Sequence, residues 1–303
     1  MANDPPIEWH RSRASEFARR ATEPTERAEL GITGLVESVP SYTRVAEAPP
    51  PADRVLDAAH AMGVGREWDE AIVNRDDRVR VDDVAAYPWR AICALRIRSQ
   101  TGRQFVGTGW FAGPRIVVTA GHCVYLHEAG GWAESITVVP AMAGASRPIG
   151  AFESRRFRTV DGWLQARAAG SDYGAVLLDE PIGDELGWFG VGALSDTQLL
   201  RAWANISGYP LDRDDARYQY FHARLLVQVN PSRLFYDIDT FGGQSGSPIW
   251  FTGTDGRRIA IGIHTTGGVR ENAGTRITGD VLANLREWRG DSTRADGAMQ
   301  SAM

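Results

Sequence analysis

The chain has 303 residues, 43% of them hydrophobic, close to a globular average and enough for a large core. Its formal charge is -5, and no apolar run approaches the roughly 18–20 residues that span a bilayer, so neither a nucleic-acid partner nor a membrane span is expected. All 33 basic residues are Arg, and two cysteines, Cys93 and Cys123, permit at most one disulfide, which excludes a disulfide-stapled scaffold.

Residues 1–70 hold eight Arg against 13 acids and so carry the whole excess negative charge. They include a PPP run at 49–51 and show helical patterning near 12–30 and 53–62, with few apolar residues for a core of their own. Composition leaves a disordered tail, an adaptor and a pro-segment all open. The N-terminus MANDPPIEWHRSR has no apolar h-region, so no signal peptide is expected. That points to a cytoplasmic location or non-classical export.

From about residue 78 the pattern changes. Short apolar or alternating runs follow one another: RAICALRI, QFVGTGWFAG, RIVVTA, SITVVP, YGAVLLD, WANISGYP, RLLVQV, SPIWF and RIAIGIH. Gly, Pro, Asn and Asp separate them, which predicts an all-β sandwich or barrel. DVLANLREWRG at 280–290 predicts a C-terminal helix, with Val281, Leu282, Leu285 and Trp288 on one face and Gly290 as its stop. The remaining residues, 291–303, read as a flexible tail.

Three segments carry chemistry. VVTAGHCV places His122 just after an apolar run, GSDYGAVLLD places Asp172 just before one, and DTFGGQSGSPIW sets Ser245 in a glycine-rich turn. A serine hydroxyl needs a base within hydrogen-bond reach, and imidazole has the right pKa. The imidazole in turn needs a carboxylate to hold its tautomer. The order His, Asp, Ser is that of the chymotrypsin-type triad. In GGQSG the N–H groups of Gly243 and Ser245 would form an oxyanion hole. The base is expected to titrate near the unperturbed value of about 6.5. No metal spacing, phosphate loop or basic aromatic patch is present, so no metal and no cofactor is expected.

With those residues in view, the chain resembles the glutamyl endopeptidases, the V8-like branch of chymotrypsin-fold serine proteases, and most closely their Bacillus-type members. The resemblance is carried by DDRVRV, AAYPWRAI, TGWFAGPR, VVTAGHCVY, SDYGAVLL, EPIGDELGWFG, ISGYP, DTFGGQSGSP, IHTTGGV and GTRIT, from about Arg75 to Trp288. It implies two six-stranded antiparallel β-barrels, the first over about 78–180 and the second over about 185–278, followed by the helix at 280–289 and preceded by a partly helical extension. It implies a monomeric endopeptidase acting on proteins or peptides after Glu, less often Asp. Carried over, His122, Asp172 and Ser245 are the triad, and Thr240 and His264 bind the substrate carboxylate. The family is usually secreted. A family cysteine that pairs with the one after the catalytic His is replaced here by Gly107.

Asp239 lies six residues before Ser245, where an acid that binds Arg or Lys would sit. An Arg-directed protease therefore stays open beside the Glu-directed one, as does a catalytically silent binding module. Gln244 stands where an Asp would take the new N-terminal amine of a trypsin-like zymogen, so that switch is not expected. By family resemblance the mature start falls near Ala71, after Glu70. Residues 1–70 would then be a pro-segment removed at Glu70–Ala71.

Overall fold

The computed structural model describes residues 56–57, 72–73, 75–268 and 271–300, with 56–57 and 291–300 as backbone only. Eighteen strands are present among them. The N-terminal ones are β1 (Leu56–Asp57), β2 (Val79–Arg80), β3 (Ile92–Ser99), β4 (Gln104–Phe111), β5 (Ile116–Thr119) and β6 (Tyr125–Leu126). Next come β7 (Gly131–Pro140), β8 (Phe152–Ser154), β9 (Phe157–Thr159), β10 (Gly174–Leu177), β11 (Gly190–Val191) and β12 (Trp203–Gly208). The last are β13 (Tyr220–Leu225), β14 (Gln228–Val229), β15 (Arg233–Tyr236), β16 (Pro248–Thr252), β17 (Arg258–Thr266) and β18 (Asn272–Arg276).

They form two barrel-like sheets. The first runs β6-β7-β3-β4-β5-β10-β9, with β8 on β7 and β1 on β4. The second runs β14-β15-β18-β17-β16-β12-β13-β2, with β11 on β17. Each sheet has nine strands rather than six. The surplus is short additions of two or three residues: β1, β6 and β8 in the first, β2, β11 and β14 in the second. Without them each sheet reduces to six antiparallel strands, as the family resemblance implied.

Aromatic side chains join the sheets. Trp110 of β4 meets Phe189 edge-on at 5.6 Å, and Phe189 meets Trp250 of β16 at 5.4 Å. All three are fully buried, and such edge-to-face pairs add about 0.5–1.5 kcal/mol each beyond their burial. The C-terminal helix Gly279–Gln300 buries Val281, Leu285 and Trp288, the face expected from the sequence. Trp288 lies against Tyr173 at 5.8 Å, and Asn284 Nδ2 donates to the Tyr173 hydroxyl (2.7 Å). The helix thereby braces the residue that follows Asp172.

Three expectations need correction. Residues 79–80 belong to the second sheet, not the first: Val79 and Arg80 pair with Phe221 and Tyr220 of β13. Within the helix expected at 53–62, Leu56–Asp57 is a strand, because β4 offers it an edge: Leu56 and Asp57 pair in parallel with Phe105 and Val106. The C-terminal helix continues past Gly290 to Gln300. A helical glycine costs about 1 kcal/mol relative to Ala, and here nothing else, neither proline nor a left-handed cap, enforces a stop. The helix expected at 12–30, Glu70 and Ala71 lie outside the described residues.

Candidate active site

The apolar, β-branched run IVVT makes β5, and the chain then turns into the short helix Gly121–Val124 that carries His122. β10 pairs antiparallel with β5, with Gly174 opposite Thr119. Asp172, two residues before that point, therefore arrives beside His122, three residues after it. The Asp172 carboxylate takes both handles of the histidine. Oδ1 accepts the His122 backbone N–H (2.9 Å), and Oδ2 lies 2.8 Å from Nδ1. Both residues are buried. Burial alone disfavours the imidazolium, but the Asp172 charge outweighs it and holds the His122 pKa well above 6.5. The value near 6.5 expected from the sequence is therefore corrected upward, because the carboxylate partner is buried together with the imidazole.

Ser245 is fully buried in the loop between β15 and β16. Cys123, the neighbour of His122, has its sulfur 3.7 Å from the Ser245 carbonyl, which ties the nucleophile loop to the histidine helix. The loop is held peptide by peptide. The Gly242 carbonyl accepts Leu211 N–H (2.7 Å), and the Gln244 carbonyl accepts Ser247 N–H (2.9 Å). In a trans peptide the N–H points opposite to the carbonyl. Those two bonds therefore set the directions of the Gly243 and Ser245 N–H groups. Gly243 adopts φ +97°, and a Cβ there would come 2.5 Å from the Tyr209 carbonyl, so only glycine fits.

On the pocket side, Thr240 is fully buried and its Oγ1 has no hydrogen-bond partner. His264 lies on β17, whose backbone pairs with the nucleophile loop: Gly246 N–H donates to the His264 carbonyl (2.7 Å), and His264 N–H to the Ser247 carbonyl (2.9 Å). The Tyr236 hydroxyl lies 2.6 Å from His264 Nδ1 and fixes the ring.

Asp239 does not face an arriving cation. Its Oδ1 accepts Val73 N–H (2.7 Å) and its Oδ2 accepts Asp77 N–H (2.9 Å). Its own N–H donates to His222 Nδ1 (2.9 Å). Asp77 is held in turn by Arg224 (2.7 Å). Among the described residues, Asp77, His222 and Asp239 are the one group of metal-capable side chains, with ligand atoms within 4.8 Å of one another. Those atoms are already engaged as just described.

Nothing in the local sequence around His222 or Tyr236 marks these residues, and around Arg78 only a charged run does. Each acts through a partner at least 17 residues away in the chain. The signal that could have found Arg78 is DDR itself, a charged run ahead of a strand.

Comparison with known proteins agrees with this geometry. The trypsin family model matches residues 78–288. A glutamyl endopeptidase of Bacillus licheniformis is 38% identical over 227 residues, covering 73% of this chain and 69% of that protein. An extracellular metalloprotease of Bacillus subtilis is 34% identical over 219 residues, covering 72% and 69%. Among solved structures, a Glu endopeptidase in complex with MPD superposes with a TM-score of 0.64 at 22% identity, over 73% of this chain and 100% of that one. The protease Anisep from Arthrobacter nicotinovorans gives 0.54 at 16% identity, over 71% and 95%. These two show the fold alone.

Cys93 and Cys123 are both buried and unbridged. A Cβ built at Gly107 would lie 2.8 Å from the Cys123 sulfur. With an S–S bond of about 2.05 Å, a disulfide holds a Cβ about 3 Å from the far sulfur. Gly107→Cys should therefore close a disulfide with Cys123 on oxidation. Closing a loop of about 17 residues should add about 3 kcal/mol. Thiol titration and urea unfolding with and without dithiothreitol check this; one reactive thiol, that of Cys93, should remain in the oxidised variant under denaturant, and three would contradict it.

Proposed function

The chain belongs to the glutamyl endopeptidases, a branch of the trypsin family of serine proteases, and on that premise we propose that it cuts protein substrates after Glu and, more weakly, after Asp. Its enzyme class, serine endopeptidase, follows from the family. The finer reading rests on one observation above all: Asp239, the residue that would make the pocket select Arg, has both carboxylate oxygens turned to the N–H groups of Val73 and Asp77. An acid so engaged is not the base of a cation pocket. Thr240 Oγ1, buried and without a partner, is a donor suited to a substrate carboxylate. His264, steadied by Tyr236, would supply the second donor.

In this reading Ser245 attacks the scissile carbonyl while His122 Nε2 takes its proton. Asp172 holds the His122 tautomer and balances the imidazolium. The Gly243 and Ser245 N–H groups receive the oxyanion of the tetrahedral intermediate. His122 then returns the proton to the leaving amine, and water repeats the sequence on the acyl-enzyme.

Peptides differing only at the residue before the cut test the specificity. Glu should exceed Asp, and both should exceed Arg. His264→Ala should lower kcat/KM for Glu peptides by roughly 10- to 100-fold and affect a neutral residue less, because it leaves a carboxylate poorly paired. Wild-type preference for Arg would return the pocket to Asp239.

The pH profile tests the base. His122 must be neutral to accept the serine proton, and Asp172 raises its pKa. As pH falls, activity should therefore be lost at a higher pH than an unperturbed imidazole of about 6.5 would give. A kcat/KM profile with its acid limb at or below that value would contradict the buried pair.

We also propose that residues 1–70 are a pro-segment cut at Glu70–Ala71, a Glu bond matching the enzyme's own specificity. Wild-type protein should yield an active fragment of roughly 233 residues, while Ser245→Ala should stay full length unless another protease is added. N-terminal sequencing of the active form checks this; a fully active, unclipped chain would refute it.

A further inference from the structure

Arg78 is a buried cation with no part in the reaction described so far. Its side chain is 1% exposed. A guanidinium has five N–H donors, and all five are placed. Nε donates to Asp76 Oδ1 (2.9 Å) and Nη2 to Asp76 Oδ2 (2.9 Å). Nη2 also donates to Asp212 Oδ2, and Nη1 to Asp212 Oδ1 (3.0 Å) and Gln244 Oε1 (3.4 Å). Arg213 adds a second cation on Asp76, with Nε at 3.2 Å. Two cations thus face two carboxylates, and the cluster balances. Of the four only Arg78 is buried, and burying one guanidinium is costly unless its partners are well placed.

Its geometry meets the nucleophile loop twice. Gln244, which lies between Gly243 and Ser245, has its Oε1 bonded by both Arg78 Nη1 and the Phe241 N–H (3.1 Å). Asp212 follows Leu211, whose N–H fixes the Gly242 carbonyl and so the direction of the Gly243 N–H. One guanidinium therefore fixes the Gln244 side chain directly and the Gly242–Gly243 peptide through Asp212. The rest of its segment is anchored without it: Val79 and Arg80 pair with β13, and Val81 N–H bonds the Gln219 carbonyl (2.8 Å).

We propose that Arg78 is a positioning residue for the oxyanion hole, holding the Gly243 and Ser245 N–H groups in place through Asp212 and Gln244. It does the work that a charged N-terminal amine paired with an acid would do, using a neutral Gln244 and a side chain from the start of the protease domain. This inference rests on the reading of Gly243 and Ser245 as the oxyanion donors.

The test separates holding the hole from holding the fold. Arg78→Gln and Asp212→Asn are measured alongside wild type and Ser245→Ala, with folding followed by thermal unfolding. For the proteins that keep Ser245, kcat and KM are referred to active sites counted with an organophosphonate. Inhibition is measured with a peptide aldehyde ending in Glu, whose hemiacetal carries the oxyanion, and with the matching free-acid product peptide, which does not. Arg78→Gln should lower kcat by about 10- to 100-fold, the range expected for impairing one oxyanion donor or both in part. KM should change less than about twofold. The aldehyde should weaken in step with kcat/KM while the product peptide holds its affinity. Asp212→Asn should move the same quantities by less. If Arg78→Gln fails to fold, Asp212→Asn carries the test on the same readouts. A folded variant with wild-type kcat per active site, or one that weakens aldehyde and product equally, overturns the proposal. Activity persisting in Ser245→Ala would instead overturn the triad reading beneath it.

Discussion

Five consecutive carbonyls, from Phe241 to Ser245, each accept a hydrogen bond from a fixed donor. Phe241 takes Gln244 N–H, Gly242 takes Leu211 N–H, Gly243 takes the Thr108 hydroxyl, Gln244 takes Ser247 N–H and Ser245 takes Thr108 N–H. Peptide planes are rigid, so fixing a carbonyl fixes the N–H behind it. The chemistry around Ser245 depends on this constraint. The carbonyls of Gly242 and Gln244, held by Leu211 and Ser247, thus set the directions of the two N–H groups that the oxyanion reading needs. Thr108 supplies two of the five donors from β4 in the first sheet, so the loop of the second sheet is shaped by the first. The same Thr108 hydroxyl accepts Tyr209 N–H (3.1 Å), bringing a third segment into register.

Electrostatics follow the same economy. Asp172 serves His122 through both a side-chain and a backbone contact. Asp239 serves the N-terminal edge of the domain through Val73 and Asp77, and Asp76 and Asp212 serve Arg78. Hydrogen bonds from Arg78 and Arg213 outweigh the burial of Asp76 and hold its carboxyl well below the ordinary range. Among the described residues the two buried acids, Asp172 and Asp239, both have assigned donors.

What could be read from the sequence was whatever short spacing decides. VVTAGHCV, GSDYG and GGQSG each carry their meaning within a few residues, the apolar runs between them mark an all-β fold, and the family resemblance implies its two barrels. What could not be read was set by partners far along the chain. Asp239, counted from Ser245, points to an Arg pocket; its true partners are 162 and 166 residues away. His222 sits in a polar stretch and gains its role only when β13 lies beside Asp239. Leu56 and Asp57 have the local pattern of a helix, but an open strand edge outbids a weak propensity. Residues 79–80 lie next to the first sheet in sequence and pair with the second, because β13 presents the free edge.

The pairing of β1 with β4 has a consequence for what a cut downstream would do. Two residues of parallel ladder are a small pairing, and it is an intramolecular one because Leu56–Asp57 and the protease domain share one chain. Intramolecular pairing is favoured over its bimolecular counterpart by effective concentration. Phe105 and Val106, which pair with β1, lie two residues and one residue before Gly107, whose Cβ position approaches the Ser245 carbonyl at 3.4 Å. Severing the chain anywhere between Asp57 and Val73 would replace intramolecular concentration with bulk dilution. The pairing of β1 with β4 would then be bimolecular and would weaken as the protein is diluted.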